Sequence, residues 1–470
     1  MRIAWYVHRY FPCVGGSENF VRAMASRFAA EGAEVEVFTT DALDLSRFVD
    51  PAGRAVEAPE IELVDGVRVR RFSIKHMPAQ RYLGKLLSFI PNQAIRCRHA
   101  SYMPIVPGLE SAEGRFDVVF GACFPYTIFS FAALKTARAS NAPLALVPFL
   151  HLANPGDPVR AAYTKPHQIR LLKSADGIAS PTNIEIEFHL QNGIPRERIL
   201  HLPMGFDFDA TTRGDGAAFR KRYAIPLDRP VVGQLGALDL NKGTNDLVAA
   251  IARLNAKRSP EDAIELVLAG SPTPRFREHF ASLPDGEKKH VLTTGILSNE
   301  HVCDFYKAID VYAMPSRTDS FGIVFLEAWA NAKPVVAAAA GGVVEVVQDG
   351  ETGLLVPFGD VEKLAGAIGG LIDDPERACR LGRAGCRKVA TGCSWDDRFR
   401  TLANWTAELI DRKRAESERG DERRTTIAYP SRRIDRGDSG AKDRTPTRRS
   451  LVDHIIYNRK YIDRSNKDFR

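Results

Sequence analysis

The sequence predicts an α/β protein in which two parallel-sheet domains follow one another along the chain. Short apolar runs typical of buried strands alternate with segments whose apolar residues recur at helical spacing. The alternation begins at Arg2 with RIAWYVHRY, and it starts again at Val231 with VVGQLG. In each half a glycine-containing turn separates the first strand from the first helix, as in a Rossmann-like unit.

The composition fits a chain with two or three cores and no membrane span. The chain has 470 residues, of which 44% are hydrophobic, and it lacks an apolar run of about 18 residues. No signal peptide is recognisable at the N-terminus. The 7 cysteines are scattered, and no pair has the spacing of a metal site. This usage predicts a reduced, cytoplasmic compartment and no bound metal.

The net charge of +7 belongs to the C-terminal tail. From Asp411 to the end the chain has 18 Lys and Arg against 11 Asp and Glu, whereas the first 410 residues have 47 of each. We therefore expect no nucleic-acid partner for the globular part. Residues 416–470 are basic and poor in apolar side chains, so we predict a disordered tail. Its apolar island, Leu451 to Ile462, is either a docking segment or a loose end.

The first βαβ unit carries two adjacent glycines, Gly15 and Gly16, before a helix that we expect from a Ser17 cap to Gly32. Such glycines let a phosphate approach the backbone and the helix N-terminus. A lone Gly-Gly pair is more often only a turn, and the G-x-G-x-x-G pattern of dinucleotide sites is absent.

The segment from Lys75 to Met103 mixes basic and apolar residues. One interpretation is an amphipathic segment that lies on an anionic membrane face near an acceptor site. The other is an ordinary surface helix that packs its apolar stripe against the domain. The modest basic charge favours the second.

Two buried strands follow, Phe116 to Ala122 and Pro143 to His151, and His151 stands at the carboxyl end of the second. A single histidine there is more often a structural hydrogen-bonding group than a site residue.

The polar segment from residue 209 to 230 contains the predicted boundary between a first domain, 1–208, and a second domain, 225–392.

The stretch from Pro315 to Glu345 is a βαβ crossover, which places ligands at the carboxyl ends of its strands. Asp319 and Ser320 are suited to cap the helix that ends at Ala330. The N–H groups of Ser320, Phe321, Gly322 and Ile323 favour an anion. Eight positions after Asp319, Glu327 could accept two hydrogen bonds from a ribose diol. Alternatively, Asp319 is only a cap and Glu327 only a solvated helix residue.

The order of these pieces resembles the retaining glycosyltransferases of family 4, which have the GT-B fold. The family pattern is Glu, seven residues, Glu, then a small residue with Pro-Val, and then a Gly-Gly…Glu loop. The matching residues here are Asp319, Glu327, Lys333-Pro334-Val335, Gly341-Gly342 and Glu345. One position departs from the pattern, because Asp319 replaces the first Glu.

The resemblance spans about residues 1 to 410 and implies two Rossmann-like domains that face each other across a cleft. A C-terminal helix, 393–415, is expected to cross back to the first domain. The implied reaction moves a sugar, with retention, from a nucleotide-diphosphate sugar to a glycan, a lipid-linked acceptor or a small molecule. The resemblance implies no metal and no cofactor besides this donor. The implied location is cytoplasmic, with peripheral contact at the inner membrane face left open.

The resemblance also assigns roles to residues. Lys242, in the Lys242-Gly243 pair, neutralises the donor diphosphate beside Gly15 and Gly16, but the family's partner Arg is Ala237 here. Arg317 is a candidate to replace that Arg. Glu327 holds the ribose. Asp319 binds the sugar hydroxyls, and His151 reaches the sugar from the first domain.

Two alternatives keep the fold. One is an enzyme without transfer activity, such as a hydrolase, an epimerase or a phosphorylase. The other is a scaffold that only binds a nucleotide sugar. The substitutions at Asp319 and Ala237 are the observations that support the scaffold.

Overall fold

A computed structural model of the chain shows two parallel sheets, one in each half. The structure describes residues 1–99, 103–111, 114–122 and 124–427. The first sheet has the strand order β3-β4-β2-β1-β5-β6-β7-β8, and its β3–β4 pair is antiparallel. Its strands are β1 (Arg2–Tyr6), β2 (Glu34–Thr40), β3 (Ile61–Val64), β4 (Val67–Phe72), β5 (Val118–Ala122), β6 (Leu144–Val147), β7 (Gly177–Ser180) and β8 (Ile199–His201).

The second sheet is parallel throughout and has the order β11-β10-β9-β12-β13-β14. Its first strand in the chain, β9, lies beside β12 and is parallel to it. The carboxyl ends of these two strands therefore lie at the same edge of the sheet. The strands are β9 (Val231–Leu235), β10 (Glu265–Ala269), β11 (Val291–Gly295), β12 (Val311–Met314), β13 (Val335–Ala338) and β14 (Gly353–Val356).

Helices cover both sheets. Those of the first half are α1 (Gly16–Ala30), α2 (Gln80–Leu87), α3 (Gln93–His99), α4 (Thr127–Ser140), α5 (Pro158–Tyr163), α6 (Pro166–Lys173) and α7 (Asn183–Gln191). Those that follow are α8 (Phe208–Thr212), α9 (Gly216–Arg222), α10 (Thr244–Asn255), α11 (Pro274–Ser282), α12 (Asp285–Lys288), α13 (Asn299–Ala308), α14 (Ile323–Ala330), α15 (Val343–Val346), α16 (Val361–Ile372), α17 (Pro375–Val389) and α18 (Trp395–Ile427).

The last helix, α18, packs back on the first half. Trp405 lies so close to Gly177 that a Cβ at this glycine would be 2.5 Å from the indole ring. Arg27 of α1 also pairs with Asp396 at 2.7 Å. The crossing helix that the resemblance implied is therefore present. It runs past its predicted end at 415 to Ile427, since Arg, Glu and Lys have high helix propensity even without an apolar face.

Two helix starts differ from the prediction. Helix α1 begins at Gly16, with Gly15 instead of Ser17 at the N-cap position. Helix α14 begins at Ile323 after Gly322, whose φ of 92° is favourable for glycine. Asp319 and Ser320 therefore do not cap this helix, because Asp319 is turned toward Lys242 instead.

Some predictions are not decided by this architecture. The borders 1–208 and 225–392 stay predictions. Residues 428–470, with Leu451 to Ile462, lie outside the described residues. Within the described part of the chain, no helix has the length and apolarity to cross a membrane.

Candidate functional site at the edge of the second sheet

A buried ion pair lies where β9 and β12 end. Lys242 Nζ is 2.6 Å from Asp319 Oδ1, and Asp319 is 8% exposed. Burial raises the pKa of Asp319, but the charges of Lys242 and His151 outweigh it and hold the pKa below its ordinary value. The second oxygen, Oδ2, is buried and has no partner in hydrogen-bond geometry among the described residues, although the nearby Ser316 side chain also helps to lower the pKa of Asp319. An unpaired buried carboxylate oxygen is costly, and a hydroxyl donor from a ligand would satisfy it.

Gly243 makes this pair possible. Its φ is 68°, and a Cβ there would lie 2.2 Å from the carbonyl oxygen of Pro315. Only glycine combines this backbone conformation with such a close approach. The loop after β9 therefore packs against the loop after β12, and Lys242 is brought next to Asp319.

His151 reaches the same place from the first half of the chain. Its ring hydrogen-bonds with the Thr318 backbone and lies within electrostatic range of Asp319 and Lys242. Burial lowers the pKa of His151; Asp319 opposes this shift and Lys242 adds to it. The neutral imidazole is thus favoured near pH 7, and it can exchange hydrogen bonds with a ligand hydroxyl. The structure brings all three predicted catalytic residues together.

Glu327 lies one helix turn beyond this group, on α14. Its Oε2 accepts a hydrogen bond of 2.8 Å from the hydroxyl of Tyr306. Burial raises the pKa of Glu327, and the bond from Tyr306 opposes the shift. Glu327 is therefore an anchored, partly buried side chain rather than a solvated helix residue.

The predicted backbone site is assembled from both halves. Ser320, Phe321 and Gly322 form the loop before Ile323, the first residue of α14. A Cβ on Gly16 would be 3.7 Å from Ile323 Cδ1, so the first glycine loop faces this helix start. Gly15 lies next to it, over the carboxylate of Glu18.

Ala237 is exposed at the end of β9, and the candidate that could replace the family Arg there is engaged elsewhere. Arg317 Nε donates to Asp157 Oδ2 at 2.7 Å, across the boundary between the halves. The Arg317 amide also donates to Asn241 O at 2.7 Å, which keeps the residue beside Lys242. Its role as the missing cation stays a prediction.

Sequence reasoning missed two residues. Glu18 is buried beneath Gly15 and pairs with Arg9. Glu345 was noted only as part of a pattern, yet it bonds to the start of α7 in the opposite half. A Glu two residues after Gly-Gly, in the first turn of a predicted helix, is a visible signal for the first. No local signal reveals the second.

Among the residues that the structure describes, no group of three or more His, Cys, Asp or Glu side chains is placed to hold a metal ion. Metal independence stays a prediction.

The chain matches two family models in order. Residues 15–205 match a glycosyl transferase 4-like domain, and residues 215–388 match glycosyl transferases group 1. A D-inositol 3-phosphate glycosyltransferase of Kineococcus radiotolerans is 30% identical over 436 residues, which are 87% of this chain and 92% of the relative. The chain belongs to the group 1 glycosyl transferases.

Two further similarities agree with this family. A GDP-mannose-dependent α-(1-6)-phosphatidylinositol monomannoside mannosyltransferase of Mycolicibacterium smegmatis is 36% identical over 229 residues, 47% of this chain and 58% of that protein. The sucrose-phosphate synthase of Thermosynechococcus elongatus shares the fold, with a TM-score of 0.66 at 23% identity over 87% of this chain and 99% of its own.

These findings confirm the GT-B fold and a glycosyltransferase that depends on a nucleotide sugar. They do not favour the scaffold, or an enzyme of the same fold without transfer activity.

Proposed function

We propose that this glycosyltransferase binds its nucleotide-diphosphate sugar at the edge of the second sheet and transfers the sugar with retention. The observation that carries the proposal is the half-satisfied carboxylate of Asp319. One of its oxygens accepts from Lys242, and the other is buried with no hydrogen bond of ordinary geometry from the residues that the structure describes. Sugar hydroxyls are the donors that would complete it.

The neighbouring groups fit the charge that develops in this reaction. Departure of a nucleoside diphosphate builds negative charge on its β-phosphate, which fixed donors must stabilise. Lys242 and the backbone N–H groups of Ser320, Phe321, Gly322 and Ile323 supply this, with the Gly15 and Gly16 loop opposite.

The remaining side chains fit the uncharged parts of the donor. Glu327, held by Tyr306, accepts the ribose hydroxyls. His151 accepts or donates at a sugar hydroxyl from the first half of the chain.

The test is a donor panel followed by product analysis. UDP-, GDP- and ADP-sugars are titrated against the wild type, Lys242→Ala and the exposed control Lys257→Ala. We expect one donor class to bind, with an affinity loss of about tenfold or more for Lys242→Ala and none for the control. The anomeric configuration of the product, read by NMR, should equal that of the donor. Equal donor affinity in Lys242→Ala, or an inverted product, would refute the proposal.

For the acceptor, an exposed apolar surface favours a lipid-linked molecule. This surface, here called the α2 surface, is formed by α2 and by the chain immediately before and after it. It consists of Met77 (45% exposed), Tyr82 (79%), Leu86 (67%) and Phe89 (72%). The expectation that the segment packs its apolar stripe against the domain holds for Cys97 and Met103, which are buried, but is wrong for the exposed Tyr82, Leu86 and Phe89. Tyr82, Leu86 and Phe89 stand at helical spacing and point to solvent together.

The charge around the α2 surface selects its occupant. The sequence contains no Asp or Glu from Gly66 to Leu109. Lys75 and Lys85 are exposed beside the apolar side chains. A second copy of the same basic surface would be repelled, whereas an anionic bilayer attracts it by about 1 kcal/mol per Lys or Arg. We propose that the α2 surface docks on an anionic membrane. The name of the relative from Mycolicibacterium smegmatis includes a phosphatidylinositol monomannoside, which is a lipid-linked sugar.

Vesicle co-sedimentation tests the docking. The full chain should bind vesicles with 30% phosphatidylglycerol more than about tenfold better than pure phosphatidylcholine vesicles, and salt should weaken binding. The combined substitutions Tyr82→Ser, Leu86→Ser and Phe89→Ser should abolish vesicle binding. The matched control replaces Leu63 and Leu227, which are 75% and 73% exposed elsewhere, with Ser. Equal binding of the triple variant and the control would exclude this surface.

A further inference from the structure

We propose that Glu345 is a positioning residue, which holds the two halves of the enzyme in the arrangement that brings His151 to Asp319. It does so by capping helix α7 of the first half from the second half. The inference rests on the proposed function, since that arrangement assembles the donor site.

The contact consists of three hydrogen bonds across the boundary between the halves. Glu345 Oε2 accepts from the backbone N and from Nδ2 of Asn183, at 2.8 Å and 3.0 Å, and Oε1 accepts from the backbone N of Ile184 at 2.6 Å. The first N–H groups of a helix have no partner inside it. A carboxylate at this end also interacts favourably with the helix dipole.

Helix α7 does not supply this cap from its own sequence. The side chain of Thr182, at the N-cap position, accepts only from the Glu185 amide, at 3.4 Å. The amides of Asn183 and Ile184 are thus left for Glu345. Glu185 is buried below, where burial raises its pKa well above the ordinary value. The neutral acid does not repel Glu345 as a carboxylate would.

The loop that carries Glu345 is packed on the donor site. The Gly342 amide donates to Asp319 O at 2.8 Å. A Cβ at Gly342 would be 2.0 Å from Ser320 O and 3.0 Å from Thr182 Cγ2. The turn between β13 and α15 therefore contacts the donor loop on one side and the start of α7 on the other.

A second bridge shows the same construction. Asp157 caps α5 through Oδ1, which accepts from Val159 N at 2.7 Å, and its Oδ2 accepts from Arg317. Arg317, in the loop after β12, thus bonds to the start of α5, just as Glu345, after β13, bonds to the start of α7. Both helices belong to the first half. Glu345 differs because its carboxylate, which comes from the other half, accepts from the two helix-start amides that Thr182 leaves free, so it reports directly on the contact between halves.

Amide hydrogen exchange tests the contact without any substrate. In the wild type, Asn183 and Ile184 should be protected although they stand at a helix start. Glu345→Ala should accelerate their exchange by about tenfold or more, because charge-assisted bonds are lost. Glu345→Gln, which keeps one acceptor oxygen, should restore part of the protection. Glu351→Ala is the matched control, since Glu351 is exposed on the following turn, and it should change nothing.

Kinetics then separate positioning from mere stability. In Glu345→Ala, kcat/KM should fall about tenfold or more, while the Kd of the free nucleoside diphosphate and the Tm stay close to wild type. Glu345→Gln should recover part of kcat/KM. Unchanged exchange at Asn183 and Ile184 would overturn the proposal. Equal losses of Tm, nucleotide affinity and rate would also overturn it. If the wild type transfers no sugar at all, the proposed function fails, while the exchange result still decides the role of Glu345.

Discussion

Each half of this glycosyltransferase buries one cation–carboxylate cluster at the cleft, and the two clusters are completed differently. In the first half, Glu18 lies beneath Gly15 and accepts from Arg9 and, at 2.7 Å, from Ser17 Oγ, with His8 Nε2 at 3.4 Å. In the second half, Asp319 accepts from Lys242 through one oxygen, and its other oxygen is buried with no hydrogen bond of ordinary geometry within the described part of the chain.

The difference separates support from binding. Both oxygens of Glu18 are used by the protein, so this cluster fixes the glycine loop above it and has nothing left for a ligand. The second oxygen of Asp319 is satisfied only when a ligand donates a hydrogen bond to it. Charge and burial alone would rank the two clusters equally. The count of satisfied oxygens tells them apart.

The largest effect is expected on stability, from the first cluster. Glu18→Ala leaves Arg9 buried without its partner, which costs about 3–5 kcal/mol. Urea unfolding should show this loss of unfolding free energy. The rate of sugar transfer per folded molecule should change little by comparison. The exposed Glu31→Ala on the same helix serves as control. A Glu18→Ala enzyme as stable as this control would mean that the cluster contributes little.

The same cluster predicts acid lability. The pKa of Glu18 is lowered to about 2, since Arg9 and His8 outweigh burial, from an ordinary value of 4.5. The pKa of His8 is lowered by burial to about 4, from 6.5. Both groups bind more protons when unfolded, so their contributions are complete above about pH 6.5. The His8 part is lost as pH falls toward 4, and the Glu18 part as pH falls from 4.5 toward 2. Denaturation at a series of pH values should show both. Glu18→Gln should remove the lower window and, because the Glu18 charge raises the pKa of His8, extend the His8 window to lower pH.

The second cluster predicts a loss of rate instead. Asp319→Asn keeps the shape but replaces the carboxylate that receives the sugar hydroxyl and balances Lys242. We expect kcat/KM to fall about 10²- to 10³-fold, as for other groups that act on the transition state, with a small change in Tm. The exposed Asp228→Asn is the control, and steady-state kinetics with the identified donor measure the effect. A rate within a few fold of the control would make Asp319 a structural residue like Glu18.

The sequence predicted the second cluster better than the first for a physical reason. Lys242 and Asp319 both follow parallel strands, and neighbouring parallel strands bring such residues to one edge. Only the pairing of β9 with β12, which are distant in sequence, had to be supplied by the fold. The motif spacing then located Glu327 and the loop at Ser320 without knowledge of any contact.

The contacts of Glu345 and the α2 surface depended on tertiary placement. Glu345 meets Ile184 at a separation of 161 residues, and the two lie in different halves. Periodicity predicts that Tyr82 and Leu86 share a helix face, but whether another element covers this face is decided elsewhere in the chain. The prediction that Asp319 and Ser320 cap α14 was wrong, because the ion pair between Asp319 and Lys242 outweighs the local preference for capping.

The smallest expected effect concerns the loop over the first cluster. A Cβ at Gly15 would lie 2.4 Å from Glu18 Oε2, whereas a Cβ at Gly16 meets its nearest atom, in Ile323, at 3.7 Å. Because Gly15 has an extended backbone, with φ of −177°, alanine is opposed there by the carboxylate rather than by backbone strain. We expect Gly15→Ala to cost about 1–3 kcal/mol in urea unfolding and Gly16→Ala to cost less. Equal stability of the two variants would show that Glu18 can move aside, and the loop would then be held by something other than this carboxylate.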